Sequence, residues 1–234
     1  MRVELHLDVE DIVPGTASAL RRQGIPHGTV VSHRITELSR EATELFHEAA
    51  SPAGILSELS VPEFDAIFVG EGQNAQDAVL QSIYPRAANL ALYALTMGAE
   101  VSRKIEALFD QSDFALGYML DAVASLAAER AVTLSEKQYS DELAQREPAD
   151  GERSVLSYSP GYCGWHISGQ KKLFERLKPA RIGITLNDSY LMTPIKSVTG
   201  LLVAGEREIH FFTDAFSFCR TCKDHTCLDR IRSL

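Results

Sequence analysis

The sequence has little that would tie the protein to a membrane. No apolar run approaches a bilayer span, and the opening MRVELHLDVEDIV has no apolar stretch of signal-peptide length, so neither a membrane segment nor export is expected. Basic residues are outnumbered, 23 Lys and Arg against 32 Asp and Glu, and the formal net charge is −9. A phosphate-rich partner is repelled by that balance, which argues against nucleic acid and anionic membrane surfaces. There is no Gly-rich phosphate loop, no nucleophile elbow and no His-Glu-x-x-His. Internal repeats and low-complexity tracts are absent too. Cysteine occurs four times and tryptophan once. The expected address is cytoplasmic, where clustered cysteines serve as metal ligands or redox groups more often than as disulfides.

What is present reads as one α+β domain of 234 residues, ordinary in its apolar content of 45%. A strand/helix region covers 1–80, a helical region 85–146, a sheet region 155–213 and a Cys-rich tail 214–234. Residues 2–9 alternate strictly, as a half-buried strand does. Residues 35–50 put Ile35, Leu38, Ala42, Leu45, Phe46 and Ala49 on one helical face. The run 66–70, AIFVG, reads as a short strand, and long helices are expected over 85–109 and 113–145. Polar EPADGERS (147–154) reads as a linker within one core. Further strands are expected at 182–185, 198–204 and 208–213, with Gly205 and Glu206 as a hairpin turn. A short helix over 169–178 has Ser168 as its cap.

Unusual residues gather in SYSPGYCGWHISGQKKLF (157–174). Pro160 and Gly161 force a bend, and Tyr162, Cys163, Trp165 and His166 follow it. Such a turn brings backbone and aromatic rings close to a flat ligand. It serves equally as a tight entry to a helix with the aromatics in the core.

SPGYCGWH, the following KLF and the later IGITLNDSYLMTPIKSVTGLLVAG together resemble the reactivation domain of cobalamin-dependent methionine synthase, and more closely the short stand-alone proteins related to it. The similarity is strongest over 157–204 and extends more weakly over the helices of 85–146. The resemblance implies a bent, largely antiparallel sheet with packed helices. It also implies binding of S-adenosylmethionine and docking onto the cobalamin-binding domain of a corrinoid methyltransferase, whose Co(II) form is then reduced and remethylated. The family's binding turn, Arg-x-x-x-Gly-Tyr, falls on Ser157, Gly161 and Tyr162, with Ser159 where backbone meets the ligand. The arginine that grips the donor's carboxylate is thus a serine here, and Leu202 stands at an aromatic contact. Arg153 lies four residues upstream of Ser157.

The thiols are an addition to that pattern. Cys219, Cys222 and Cys227 crowd into nine residues, and Cys163 completes a set of four if the tail folds back onto the Pro-Gly-Tyr turn. Four thiolates suit zinc and an iron–sulfur cluster alike, with His166 and His225 as further nitrogen ligands. The bland reading is a set of reduced thiols or a labile disulfide. A second function therefore stands beside corrinoid reactivation: an iron–sulfur or zinc protein for electron transfer or interaction that keeps the fold without the nucleoside ligand. Asp8, Glu10, Asp11 and Glu71 read as wet carboxylates, Asn187 and Asp188 as a turn beside the ligand, and Lys171, Lys172, Arg176, Lys178 and Arg181 as a solvated face.

Overall fold

The alternating start pairs as a strand over a shorter stretch than its pattern suggests: β1 is Arg2–Leu5, and a single helical turn, α1 (Val9–Ile12), follows. The computed structural model describes residues 2–26, 28–146 and 153–212. After α1 come α2 (Thr16–Arg22), α3 (His33–Ala49), β2 (Ala53–Leu59), α4 (Val61–Val69) and α5 (Val79–Ile83). Then come β3 (Asn89–Thr96), α6 (Ala99–Asp110), α7 (Phe114–Arg146) and β4 (Arg153–Tyr158). The described part ends with α8 (Gly169–Leu177), the two-residue pair β5 (Thr185–Leu186) and β6 (Met192–Thr193), and β7 (Ser197–Glu206).

The main sheet runs β1-β2-β3-β7-β4, antiparallel at every step. Both faces are covered. On one, Leu56, Tyr93, Leu95, Val155 and Leu202 pack with Phe46, Val101, Leu120 and Ala127 from α3, α6 and α7. On the other, Leu92, Leu156, Leu201 and Val203 pack with Phe64, Leu80, Trp165 and Leu173. Small residues on α7, among them Ala124, Ala127 and Ala131, are fully buried and let this long helix lie close over the sheet.

Several expected elements change type. Residues 66–69 of AIFVG belong to α4, with Gly70 as its C-cap, and the helix starts with a capping box: the Glu63 N–H donates to Ser60 Oγ, and the Ser60 N–H donates to Glu63 Oε2 at 2.8 Å. Its buried residues Phe64, Ile67 and Phe68 keep helical spacing. The helix expected over 85–109 splits into β3 and α6. NLALYALT is buried on both faces, so it shows no alternation, and an unbroken apolar strand reads like a buried helix. Gly205 and Glu206 continue β7 and form no hairpin turn, and 207–210 form a 3-10 turn in place of a strand. Of 182–185 only Thr185 is in a strand. The helices of 35–50 and 113–145 stand as expected, the first capped by Ser32 and the second opening where Asp113 Oδ1 accepts the Leu116 N–H.

Candidate functional site

Among the described residues β4 is an edge strand, paired with β7 alone. Ser157, opposite Leu202, is buried, and its N–H donates to Glu136 Oε1 at 2.7 Å, so α7 places a carboxylate against this edge. Two residues on, Ser159 Oγ lies 3.2 Å from the Tyr93 hydroxyl. Tyr93 reaches it from β3 because its cross-strand partner on β7 is Gly200: a Cβ there would stand 2.8 Å from the tyrosine ring and closer still to the Tyr158 carbonyl oxygen. Glu136, Ser157, Ser159 and Tyr93 thus form one polar strip at the end of the sheet that the turn leaves.

The turn itself is tightly closed. The Gly161 N–H donates to the Trp165 carbonyl at 2.7 Å, the Trp165 N–H to Tyr162 at 2.9 Å, and the Tyr162 N–H to Ser159 at 3.1 Å. Gly161, Cys163 and Gly164 all take left-handed φ, at 95°, 52° and 80°. Gly164 has no alternative: a Cβ there would come within 2.5 Å of Ala78 Cα. The loop before α5 braces the turn from behind. The Ala75 N–H donates to the Gly164 carbonyl at 2.9 Å, and Asn74 Oδ1 accepts the His166 N–H at 2.9 Å. Trp165 is 1% exposed and meets the Phe64 ring edge-on at 5.4 Å. Tyr162, in contrast, is 53% exposed. The single tryptophan is a core plug, and Tyr162 is the aromatic that faces outward.

The expected ligands distribute unevenly. Ser159, Gly161 and Tyr162 come together at the turn. Cys163 is buried behind it, its carbonyl accepting the Leu80 N–H at 3.4 Å. Cys219, Cys222, Cys227 and His225 lie outside the described residues. Among the described residues no group of three or more His, Cys, Asp or Glu side chains is placed to hold a metal ion. His166 Nδ1 instead lies 2.9 Å from Ser168 Oγ. Ser168 therefore does not cap α8 with its side chain. Asn187 Oδ1 accepts the N–H groups of Ser189 and Leu191 at 2.9 Å each, which makes it the organiser of its own hairpin tip. The basic stretch is drawn into surface ion pairs, with Lys171 to Glu71 at 3.3 Å and Arg176 to Glu63 at 2.7 Å.

Sequence reasoning missed three contributors. Glu136 and Tyr93 enter the strip from α7 and β3. Lys196 precedes β7 with its side chain 10% exposed, Nζ lying 2.8 Å from Asp121 Oδ1 and 2.9 Å from Ser125 Oγ. It ties the first half of α7 to the same end of the sheet.

Residues 72–217 match the family model for the vitamin B12 dependent methionine synthase activation domain. A solved structure, the crystal structure of the MetH reactivation domain bound to AdoHcy, aligns with a TM-score of 0.61 and 16% identity, over 87% of this chain and 78% of the other. At that identity the likeness is one of fold. Among curated proteins the chain finds no match. No helix among the described residues is long and apolar enough to cross a membrane.

Proposed function

Because the chain belongs to the family of the vitamin B12 dependent methionine synthase activation domain, we propose that it assists the reductive remethylation of a cytoplasmic corrinoid methyltransferase, docking on the partner's cobalamin-binding domain and presenting an adenosyl methyl donor at Ser159, Gly161 and Tyr162. The observation that carries this reading is the outward Tyr162 ring on a turn that its own hydrogen bonds and the bracing loop hold rigid. S-adenosylmethionine, when bound, supplies a sulfonium methyl group, while a separate reductant supplies one electron to the partner's Co(II).

The residues fit the adenosyl half of such a donor. Among the described residues outside its chain neighbours, an added Cβ at Gly161 would meet Ile167 Cδ1 alone, at 3.5 Å, which leaves room beside the Tyr162 ring for a flat base. Ser159 offers a hydroxyl whose direction Tyr93 sets. Holding these groups still before the partner arrives lowers the ordering cost of binding. The protein's part is positioning, as a component of the methyltransferase cycle.

The test is anaerobic mixing of the full chain with a Co(II) cobalamin domain, S-adenosylmethionine and a low-potential reductant. Growth of the methylcobalamin absorption bands is expected with the natural protein and not with Tyr162→Ala. No conversion with the natural protein overturns the proposal.

A further inference from the structure

The β5–β6 hairpin has two residue pairs, Thr185 opposite Thr193 and Leu186 opposite Met192, yet its tip is firmly held. Asn187 does most of this. Its Oδ1 accepts the N–H groups of Ser189 and Leu191, its carbonyl accepts the Tyr190 N–H at 3.0 Å, and its own N–H donates to the Leu191 carbonyl at 3.0 Å. Tyr190 takes a left-handed φ of 61°, a strained conformation for a bulky side chain. Beside it Leu191 is 62% exposed, and Ile195, where the hairpin runs on toward β7, is 69% exposed. Neither the strain nor the two wetted aliphatic chains stabilises the folded chain, and both suit contact with another surface.

The hairpin and the Tyr162 turn lie at one end of the main sheet. Ile195 stands two residues before β7, which begins with Ser197 opposite Thr96. β4 runs toward that same end and stops at Tyr158 opposite Leu201, and the turn leaves from there. Lys196 anchors the exit of the hairpin, by Nζ to Asp121 Oδ1 at 2.8 Å and by its carbonyl, which accepts the Met97 N–H at 2.9 Å. Tyr190 lies within electrostatic reach of Lys171, in the first turn of α8 just beyond the Tyr162 turn.

We propose that Leu191 and Ile195 are the apolar anchors by which this end of the protein docks on the partner's cobalamin-binding domain. This rests on the reading of the Tyr162 turn as the donor site and names the groups that seat the partner over it. A methyl donor held at Tyr162 reaches cobalt only if the partner approaches from this end, and its surface then meets the hairpin as well. A second copy of the chain suits the anchors less, because two molecules of net charge −9 repel one another. Anchors fixed before contact lower the ordering cost of docking, which gives the strain at Tyr190 a use.

The test titrates the Co(II) cobalamin domain of the remethylation assay into the full chain, natural and with Leu191→Ser or Ile195→Ser, each checked for its fold by circular dichroism. Serine removes the apolar bulk and adds no charge. Each variant is expected to dock about tenfold more weakly than the natural chain, the size of a lost anchor at an interface. Binding of S-adenosylmethionine to the free chain should stay within about twofold, because neither residue is in the donor turn. Docking by both variants as tight as that of the natural chain overturns the inference and leaves the proposed function standing. Sedimentation that shows the natural chain pairing with itself, through a contact that Leu191→Ser abolishes, overturns it in favour of a second copy. A natural chain that does not dock also overturns it, and one that in addition fails the remethylation assay overturns the proposed function.

Discussion

The Tyr93 hydroxyl reaches Ser159, at 3.2 Å, by passing over Gly200 of the strand between them. Two changes separate the parts of this arrangement. Gly200→Ala pushes a methyl group against the Tyr158 carbonyl and the Tyr93 ring, and the cost is expected at about 1–3 kcal/mol of unfolding free energy in urea titration. Tyr93→Phe keeps the ring and removes the bond, for a loss of about 1 kcal/mol. A Gly200→Ala chain as stable as the natural one would show that the ring does not lie there.

Tyr162 should behave in the opposite way. Its side chain is half exposed on a turn held by backbone bonds, so Tyr162→Ala is expected to leave the urea midpoint within about 0.5 kcal/mol of the natural protein. Adenosyl ligand binding should nonetheless fall by about tenfold or more, because a base deprived of the aromatic ring it stacks on is held that much less firmly. Calorimetry and urea titration on the same preparation separate the two effects.

Asp121→Asn tests the clamp at the start of β7. Lys196 keeps its charge while losing the carboxylate, and Ser125 remains as a partner at 2.9 Å. Asp121 is 44% exposed, so water takes over part of its role, and the expected loss is about 1–2 kcal/mol rather than the full penalty of a broken buried pair.

A pH dependence follows from the pair that joins the end of α7 to β2. The hydrogen bond from Arg146 holds the Glu58 carboxyl below its ordinary 4.5, against the opposing effect of burial, and the Tyr139 hydroxyl donates to the same carboxylate at 3.3 Å. A carboxyl depressed in the folded state contributes stability that is fully present above pH 4.5 and is lost as the pH falls through the depressed value. The stability difference between the natural protein and Glu58→Gln, about 1 kcal/mol at neutral pH, should therefore shrink toward zero below that point. Urea titrations across the acid range measure it, and a difference that stays constant there would rule out the pairing.

What the sequence disclosed depended on how many faces an element buries. α3 and α7 were legible because their caps and apolar spacing are local. β2 and β3 were not: Leu56 packs toward α7 while its neighbour Ile55 packs toward α4, so apolar residues run on consecutively and the two polar residues of β2, Ser57 and Glu58, stand side by side without alternation. In α4 the apolar Ile67-Phe68-Val69 suggested a strand, although Ser60 and Glu63 upstream carried the helix-start signal. Gly205 suggested a turn for the wrong reason. It lies within β7, where a Cβ would come within 2.5 Å of Ile209 Cδ1, so its small size serves close packing. The same division holds at the site. The proposed ligand residues Ser159, Gly161 and Tyr162 fall within four positions of one motif, whereas Glu136 and Tyr93 are ordinary residues of distant elements, brought beside that turn by α7 and by the pairing of β3, β7 and β4.

The position of β7 also sets an order of events at the ribosome. The strand fills the gap between β3 and β4, yet it is the last of the five to be synthesised. Until it emerges, β3 has one edge unpaired along residues that end fully buried, and β4 has no neighbour at all. A nascent chain in that state offers the open, greasy strand that chaperones bind and that other chains can pair with. Yield in a cell should then depend on how quickly residues 197–206 clear the exit tunnel.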